Sequence, residues 1–327
     1  MTHLDPIPFI VPLPGEEPAL AALRHAPEKL DLLLASARRT YTPLGVRVAD
    51  ALSRRWARRV ASPYEGAISQ VDRVLGRPGA FLLNHSYEWG CTTGVVADPA
   101  LGGPTLLRVL DWPFDGLGRA VVATRCAGPA GPYVSLTWPG HVGVLTACAP
   151  GRFAAAINQP PLPTPWGKAV GWPTARWHVG RSTALPPSHL LRLVFDRCAS
   201  FDDAVSLLRT MPICIPTIFT VAGARPGEAI TIERTQNRAH VCAEPAAANH
   251  WASPDGPTGR PRNRSSRQRR ADMLALARRP PDWSMKWLAA PILHDETRLS
   301  VMANAASGRL IAQGFEATGP ATALTVL

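Results

Sequence analysis

No two of the six cysteines form a CxxC pair; they stand at 91, 126, 148, 198, 214 and 242. That spacing argues against a zinc site or a thioredoxin-type redox pair and fits reduced, buried thiols. No apolar run reaches the roughly 18 residues of a membrane span. Residues 1–14 lack the basic start and continuous apolar core of a signal peptide, so the expectation is a cytoplasmic protein. There is no GxSxG elbow, no phosphate-cradling glycine loop and no internal repeat. Acidic charge is scarce: 24 Asp and Glu stand against 35 Lys and Arg, a net +11 that rests almost wholly on arginine. This balance favours anionic partners without choosing among nucleic acid, lipid surfaces and acidic substrates.

What is present is globular. The chain of 327 residues is 46% hydrophobic and suits one large domain or two smaller ones. Residues 1–28 are proline-rich and read as extended. Periodicity predicts a helix over 30–61, with Arg54, Arg55, Arg58 and Arg59 on helical spacing and Val48, Ala51, Leu52 and Trp56 as its apolar face. A second helix is expected over 64–75, ended by Gly76 and Pro78, and a short strand over 80–83. A β-rich region follows, which puts a boundary at Gly90–Cys91, between a helical segment (1–90) and a second domain (91–327). Beyond it, strands are expected at 120–124, 133–137, 142–147, 153–157, 216–222, 229–234 and 239–243. Residues 160–181 read as a Pro- and Trp-rich loop. Helices are expected at 188–198, at 201–211 with Ser200 as its cap, and at 265–278 and 281–289. A hairpin of 299–303 with 309–314 closes the chain.

The rest is organised around residues 87–112. Cys91-Thr92-Thr93 opens an apolar, β-branched run that reads as a buried strand. Residues 99–104 read as a turn, and 106–112 return as a second strand carrying Arg108 and Asp111. Side chains alternate faces along a strand, so these two share a face only if a bulge or the strand end intervenes. A lone cysteine in an apolar strand is, by itself, usually a core residue. The context reverses that reading. Cys91-Thr92-Thr93, the return strand Arg108-Val109-Leu110-Asp111-Trp112, the glycine-rich pair at 143–158 and Ala248-Asn249-His250-Trp251 recur here in order and spacing. In this they resemble the linear-amide branch of the N-terminal nucleophile hydrolases, the acid ceramidase-like family. Val109 departs from the pattern, which often has Asn after the Arg.

The resemblance implies an α+β fold, an αββα four-layer sandwich, preceded by the mainly helical N-terminal segment. It implies a self-cleaving amidohydrolase in which Cys91 is the nucleophile and Gly90–Cys91 the bond the protein cuts in itself. Cutting frees an α-amine, titrating near 7.7–8.0, that serves as the thiol's base. By the same resemblance Arg108 lowers the thiol pKa, Asp111 orients the amine, and the Asn249 side-chain N–H binds the oxyanion. Asn158 contacts substrate, and either Arg264 or Arg262 is a further site arginine, with Arg264 preferred. No metal or organic cofactor is implied. The implied partners are a small N-acyl amide and, after the cut, the N-terminal segment held with the catalytic chain as a heterodimer. An acyltransferase of the same fold stays open, as does a non-enzymatic basic protein. The arginine run at 260–270 reads as a solvated loop and helix start, with an anionic lipid surface open as a partner. It lacks the aromatic interleaving of single-strand binders, which argues against nucleic acid. His85, His141 and His250 read as structural.

Overall fold

The computed structural model describes residues 4–60, 62–85, 89–161, 180–257 and 259–327. Two sheets lie face to face. The larger has eight strands in the order β1-β4-β5-β6-β7-β8-β9-β10. These are β1 (Phe9–Ile10), β4 (Val122–Gly128), β5 (Gly131–Thr137), β6 (Thr146–Ala149), β7 (Phe153–Asn158), β8 (Thr217–Gly223), β9 (Ala229–Arg234) and β10 (Ala239–Cys242). The smaller runs β11-β2-β3-β12-β13-β14, with β15 also on β13. Its strands are β2 (Gly90–Val96), β3 (Thr105–Asp111), β11 (Ala246–Ala247), β12 (Thr297–Asn304), β13 (Leu310–Glu316), β14 (Gly319–Pro320) and β15 (Thr325–Val326). Pairing is antiparallel except that β1 lies parallel to β4. Helices α6 (Pro187–Arg197) and α7 (Phe201–Thr210) cover the larger sheet, and α8 (Ser266–Leu276) covers the smaller at β2 and β11. This is the four-layer αββα sandwich expected from the sequence.

Strand alternation divides the core. From β2 and β3, Cys91, Val95, Leu106 and Leu110 turn inward to the space between the sheets. Val96, Leu107 and Val109 turn outward to pack with Met273 of α8 and with Met302 and Ile311. With both faces covered, these strands read as nearly continuous apolar runs. Gly94 lets α8 close in, since a Cβ there would meet the Met273 side chain at 3.2 Å.

The N-terminal segment carries α1 (Pro18–His25), α2 (Pro27–Ala57), α3 (Glu65–Leu75) and α4 (Ala80–Asn84). It also contributes β1 to the larger sheet, in register Phe9↔Ala123. Four of the expectations fail here and at the other end of the chain. The stretch 1–28, expected to be extended, forms α1 over Pro18–His25. Residues 80–83 form a helix rather than a strand, because the buried Asp50 carboxylate accepts the Gly79 and Leu82 N–H groups (2.9 and 3.0 Å) and so caps α4. That contact also turns α2 over: Asp50, Ser53 and Trp56 face inward, while Val48, Ala51 and Leu52 are exposed. Residues 281–289 form turns rather than a helix. Met285 has φ +60, and Trp283 and Trp287 anchor to Asp98 Oδ2 and Met302 Sδ. The strand expected from 142 starts only at Thr146. Most of the loop expected at 160–181, with Trp166, Trp172 and Trp177, lies outside the described residues. Ser200 caps α7 as expected, accepting the Asp203 N–H at 3.1 Å.

Candidate active site

The strand pair β2–β3 sets the geometry. Its register places Cys91 opposite Leu110, Thr93 opposite Arg108, and Gly90 opposite Asp111. Cys91, Thr93 and Arg108 therefore face the larger sheet. Thr92 and Asp111 face α8. Arg108 and Asp111 do not share a face. Instead they flank the start of β2 from its two sides, with the Gly90–Cys91 bond between them. All these side chains are buried, with Cys91, Arg108 and Asp111 at 0% exposure.

On the inward side, Arg108 NH1 donates to Asn158 Oδ1 at 2.9 Å. Thr93 Oγ1 lies 2.8 Å from Thr220 Oγ1 and donates to Asn158 Oδ1 at 3.4 Å. Arg108 Nε and NH2 have no hydrogen-bond partner among the described residues. Burial pushes the Cys91 thiol pKa up, and the Arg108 charge pulls it back.

The outward side is closed by an arginine that sequence reasoning had assigned to solvent. Arg269 of α8 is fully buried. It donates from NH1 to Asp111 Oδ2 (2.6 Å) and Thr92 Oγ1 (2.7 Å), and from NH2 to Asn249 Oδ1 (2.8 Å). Thr297 Oγ1 donates to Asp111 Oδ1 at 3.1 Å. His294 Nε2 lies 3.1 Å from Asp111 Oδ2. Burial alone would raise the Asp111 pKa, but the His294 contact and the Arg269 charge hold it below the ordinary carboxylate value.

Asn249 links the two sides. The edge strand β11 supplies the Pro245 carbonyl to the Val95 N–H (2.9 Å), then departs after Ala247. The Asn249 side chain takes over, its Oδ1 accepting the Cys91 N–H at 3.0 Å. The amide orientation is fixed by its neighbours: Arg269 can only donate, and the Gln159 carbonyl, 2.8 Å from Nδ2, can only accept. One of the two Asn249 Nδ2 N–H groups goes to the Gln159 carbonyl, while Oδ1 offers the Cys91 nitrogen an acceptor. Asn158 returns the gesture, Nδ2 donating to the Ala248 carbonyl at 3.4 Å. Ser266 Oγ accepts the Asn249 N–H at 2.8 Å and contacts His250 Nδ1 at 2.8 Å. His250 is thus part of the scaffold.

Arg264 is exposed and does not enter the site, and neither does the exposed Arg262 side chain. The backbone N–H of Arg262 does brace Asn249, donating to its carbonyl at 3.0 Å. The reason is helical phase. Ser266, Arg269 and Met273 form the one stripe of α8 that is buried against β2 and β11. A basic residue four positions before an apolar one, on a helix otherwise polar, was the available signal. Density of charge hid it.

Just before Cys91, Gly90 is closely enclosed. A Cβ there would stand 3.3 Å from Asp111 Cβ, 3.4 Å from Asp111 Oδ2 and 3.5 Å from Asn249 Oδ1. The Asp111 Cβ contact is tighter than usual, so a side chain before Cys91 would have to press against Asp111. Among the described residues no group of His, Cys, Asp and Glu side chains could hold a metal ion.

Comparison with known proteins agrees with this architecture. A solved structure of the Caenorhabditis elegans N-acylethanolamine-hydrolyzing acid amidase ortholog superposes with a TM-score of 0.53, covering 72% of this chain and 100% of that one at 18% identity. The chain has the fold of the N-terminal nucleophile (Ntn) hydrolases. The family model for acyl-coenzyme A:6-aminopenicillanic acid acyl-transferase matches residues 167–285. The N-acylethanolamine-hydrolyzing acid amidase of Cavia porcellus is 26% identical over 184 residues, 53% of this chain and 49% of that protein. Acid ceramidase of Pan troglodytes is 30% identical over 98 residues, 30% of this chain and 24% of the ceramidase. The chain thus spans half or less of the length of these relatives.

Proposed function

We propose that the chain is a self-cleaving Ntn amidohydrolase with Cys91 as nucleophile, acting on a linear N-acyl amide. The observation that carries this reading is the Cys91 nitrogen. It is held by a side-chain acceptor, Asn249 Oδ1, at a place where the sheet would otherwise supply a backbone carbonyl. That arrangement suits an atom that must become an amine. In maturation the Cys91 thiolate attacks the Gly90 carbonyl, the C–N bond breaks, and the thiol's proton ends on the new amine. Water then hydrolyses the Gly90 thioester. In turnover the amine takes the thiol proton as sulfur attacks the substrate carbonyl and returns it to the leaving amine, and water resolves the acyl-thioester. The unpartnered Arg108 N–H groups are the buried donors available to the thiolate and to the developing oxyanion.

The N-terminal segment stays with the catalytic part as a heterodimer. Support comes from the β1–β4 pairing and from three contacts: Arg192 NH1 to Glu17 Oε1 (2.6 Å), Tyr64 OH to Asp196 Oδ2 (2.6 Å) and Trp56 Nε1 to the Ser182 carbonyl (3.0 Å). An apolar cavity of about 50 Å³ lies between α2 and the end of β3, walled by Leu34, Tyr41, Val46, Trp112 and Phe114. It suits an apolar acyl group, in keeping with the amide substrates named for the relatives. The match to an acyltransferase family supports a second reading, passage of the acyl group to an acceptor amine instead of water.

The test is chain cleavage. Purified protein should resolve into chains ending at Gly90 and beginning at Cys91, and Cys91→Ala should remain one chain. Active enzyme lacking a free Cys91 terminus would sink the mechanism. Incubating the mature enzyme and a panel of N-acyl amides with and without acceptor amines separates hydrolysis from transfer.

A further inference from the structure

Asp111 has a neighbour that belongs to none of the motifs. His294 lies just ahead of β12, and its Nε2 approaches Asp111 Oδ2 at 3.1 Å, the oxygen that also accepts from Arg269 at 2.6 Å. The buried carboxylate is therefore bracketed by a permanent cation from α8 and a titratable one from this segment. The His294 side chain is 21% exposed and the Asp111 side chain 1%. A proton can reach His294 from solvent without passing through the site. The charged groups facing the imidazole are Asp111 from β3, Arg269 from α8, and Asp295 and Glu296 beside it.

We propose that His294 is a positioning residue whose charge sets the pH at which the Cys91 amine becomes a free base. The proposal rests on the Cys91 reading above. An ionised Asp111 beside the amine favours ammonium, which cannot act as a base. Arg269 and protonated His294 together more than balance that carboxylate, so the amine sheds its proton at lower pH. Burial alone would favour neutral His294, but Asp111 raises its pKa from the ordinary value, so the charge persists into the range where the amine must work.

Competitive acetylation of the Cys91 amine, read by peptide mass across pH 5–9 on cleaved enzyme, measures this directly. In His294→Gln the midpoint should rise by about half to one pH unit, as expected for losing one nearby charge in a partly screened site. His294→Lys, which keeps a charge, should hold the midpoint low. Equal midpoints in wild type and His294→Gln overturn the proposal, as does a uniform loss of activity at every pH with no shift. A wild type that never exposes a Cys91 terminus fails the underlying mechanism instead. In that case NMR titration of His294 in uncut Cys91→Ala still reads the contact: a raised midpoint separates a sound His294–Asp111 pair from a failed nucleophile.

Discussion

The two faces of the β2–β3 hairpin each bury an arginine at 0% exposure, and they treat it in opposite ways. On the α8 face, Arg269 donates to Asp111, Thr92 and Asn249 over 2.6–2.8 Å. On the inter-sheet face, Arg108 donates from NH1 to Asn158, and its Nε and NH2 have no partner among the described residues. A buried charge held against a carboxylate, as Arg269 is against Asp111 even with its Nε unpartnered among the described residues, holds structure in place. A buried charge with spare donors next to a thiol is destabilising as it stands and is best explained by what it does when negative charge appears. The comparison assigns the outward face to geometry and the inward face to chemistry.

The strongest way to break this comparison is Arg269→Met. It leaves Asp111 buried with only Thr297 and His294, so we expect a loss of about 3–5 kcal/mol in stability, read by denaturant unfolding of the uncut Cys91→Ala background. A loss below about 1 kcal/mol would mean the pairing is not structural. Arg108→Met sharpens the contrast from the other side. Self-cleavage should slow by about 10²–10³, while the unfolding midpoint hardly moves or even rises. Equal stability losses in the two variants would erase the distinction drawn here.

Smaller effects follow from the residues that join the faces. Ser266→Ala removes the acceptor of the Asn249 N–H and should cost about 1–3 kcal/mol, with cleavage slowed in proportion to the loosened Asn249. Cleavage at the wild-type rate would remove Ser266 from the supporting network. A separate effect is a pH dependence of stability. Burial lowers His141 to about 4 and His250 to about 4. A group with a depressed folded-state pKa that is neutral when deprotonated lends stability above its unfolded value of about 6.5. That stability drains away as pH falls from about 6.5 toward 4, because the unfolded chain takes up protons first. Thermal unfolding of Cys91→Ala should therefore show a falling midpoint over that window, and His141→Phe should flatten it if the fold is kept.

Much of this was legible in the sequence, and the failures are instructive. Cys91, Arg108 and Asp111 sit on one hairpin, where local order predicts proximity. Asn249 and Asn158 are remote in sequence, yet Asn158 ends β7, Asn249 lies two residues past β11, and the two meet. What sequence could not carry is orientation. Only the neighbours Arg269 and Gln159 reveal that Asn249 turns Oδ1 toward the Cys91 nitrogen. The site arginine was sought at Arg264 or Arg262 and Arg269 went unweighed, because linear spacing is a poor guide once a helix begins and phase decides burial. The inversion of α2 has the same cause: a single carboxylate, Asp50, capping a helix 29 residues away overrides an apolar stripe. His294 was invisible because it stands in an irregular segment with no periodicity to flag it.

The pairing of β1 with β4 gives the proposed cut a thermodynamic direction. Before it, the N-terminal strand belongs to the same molecule as the sheet it completes, and unfolding is unimolecular. Afterwards that strand, with α1 to α4, becomes a ligand of the remaining chain, and every contact it makes is diluted by the solution. The unfolding midpoint of the mature protein should then depend on concentration, where that of Cys91→Ala does not. An uncut chain can unfold and find its way back. A cut one, once separated, must find its other half, so the molecule carries a record of its own reaction in the order of its folding kinetics.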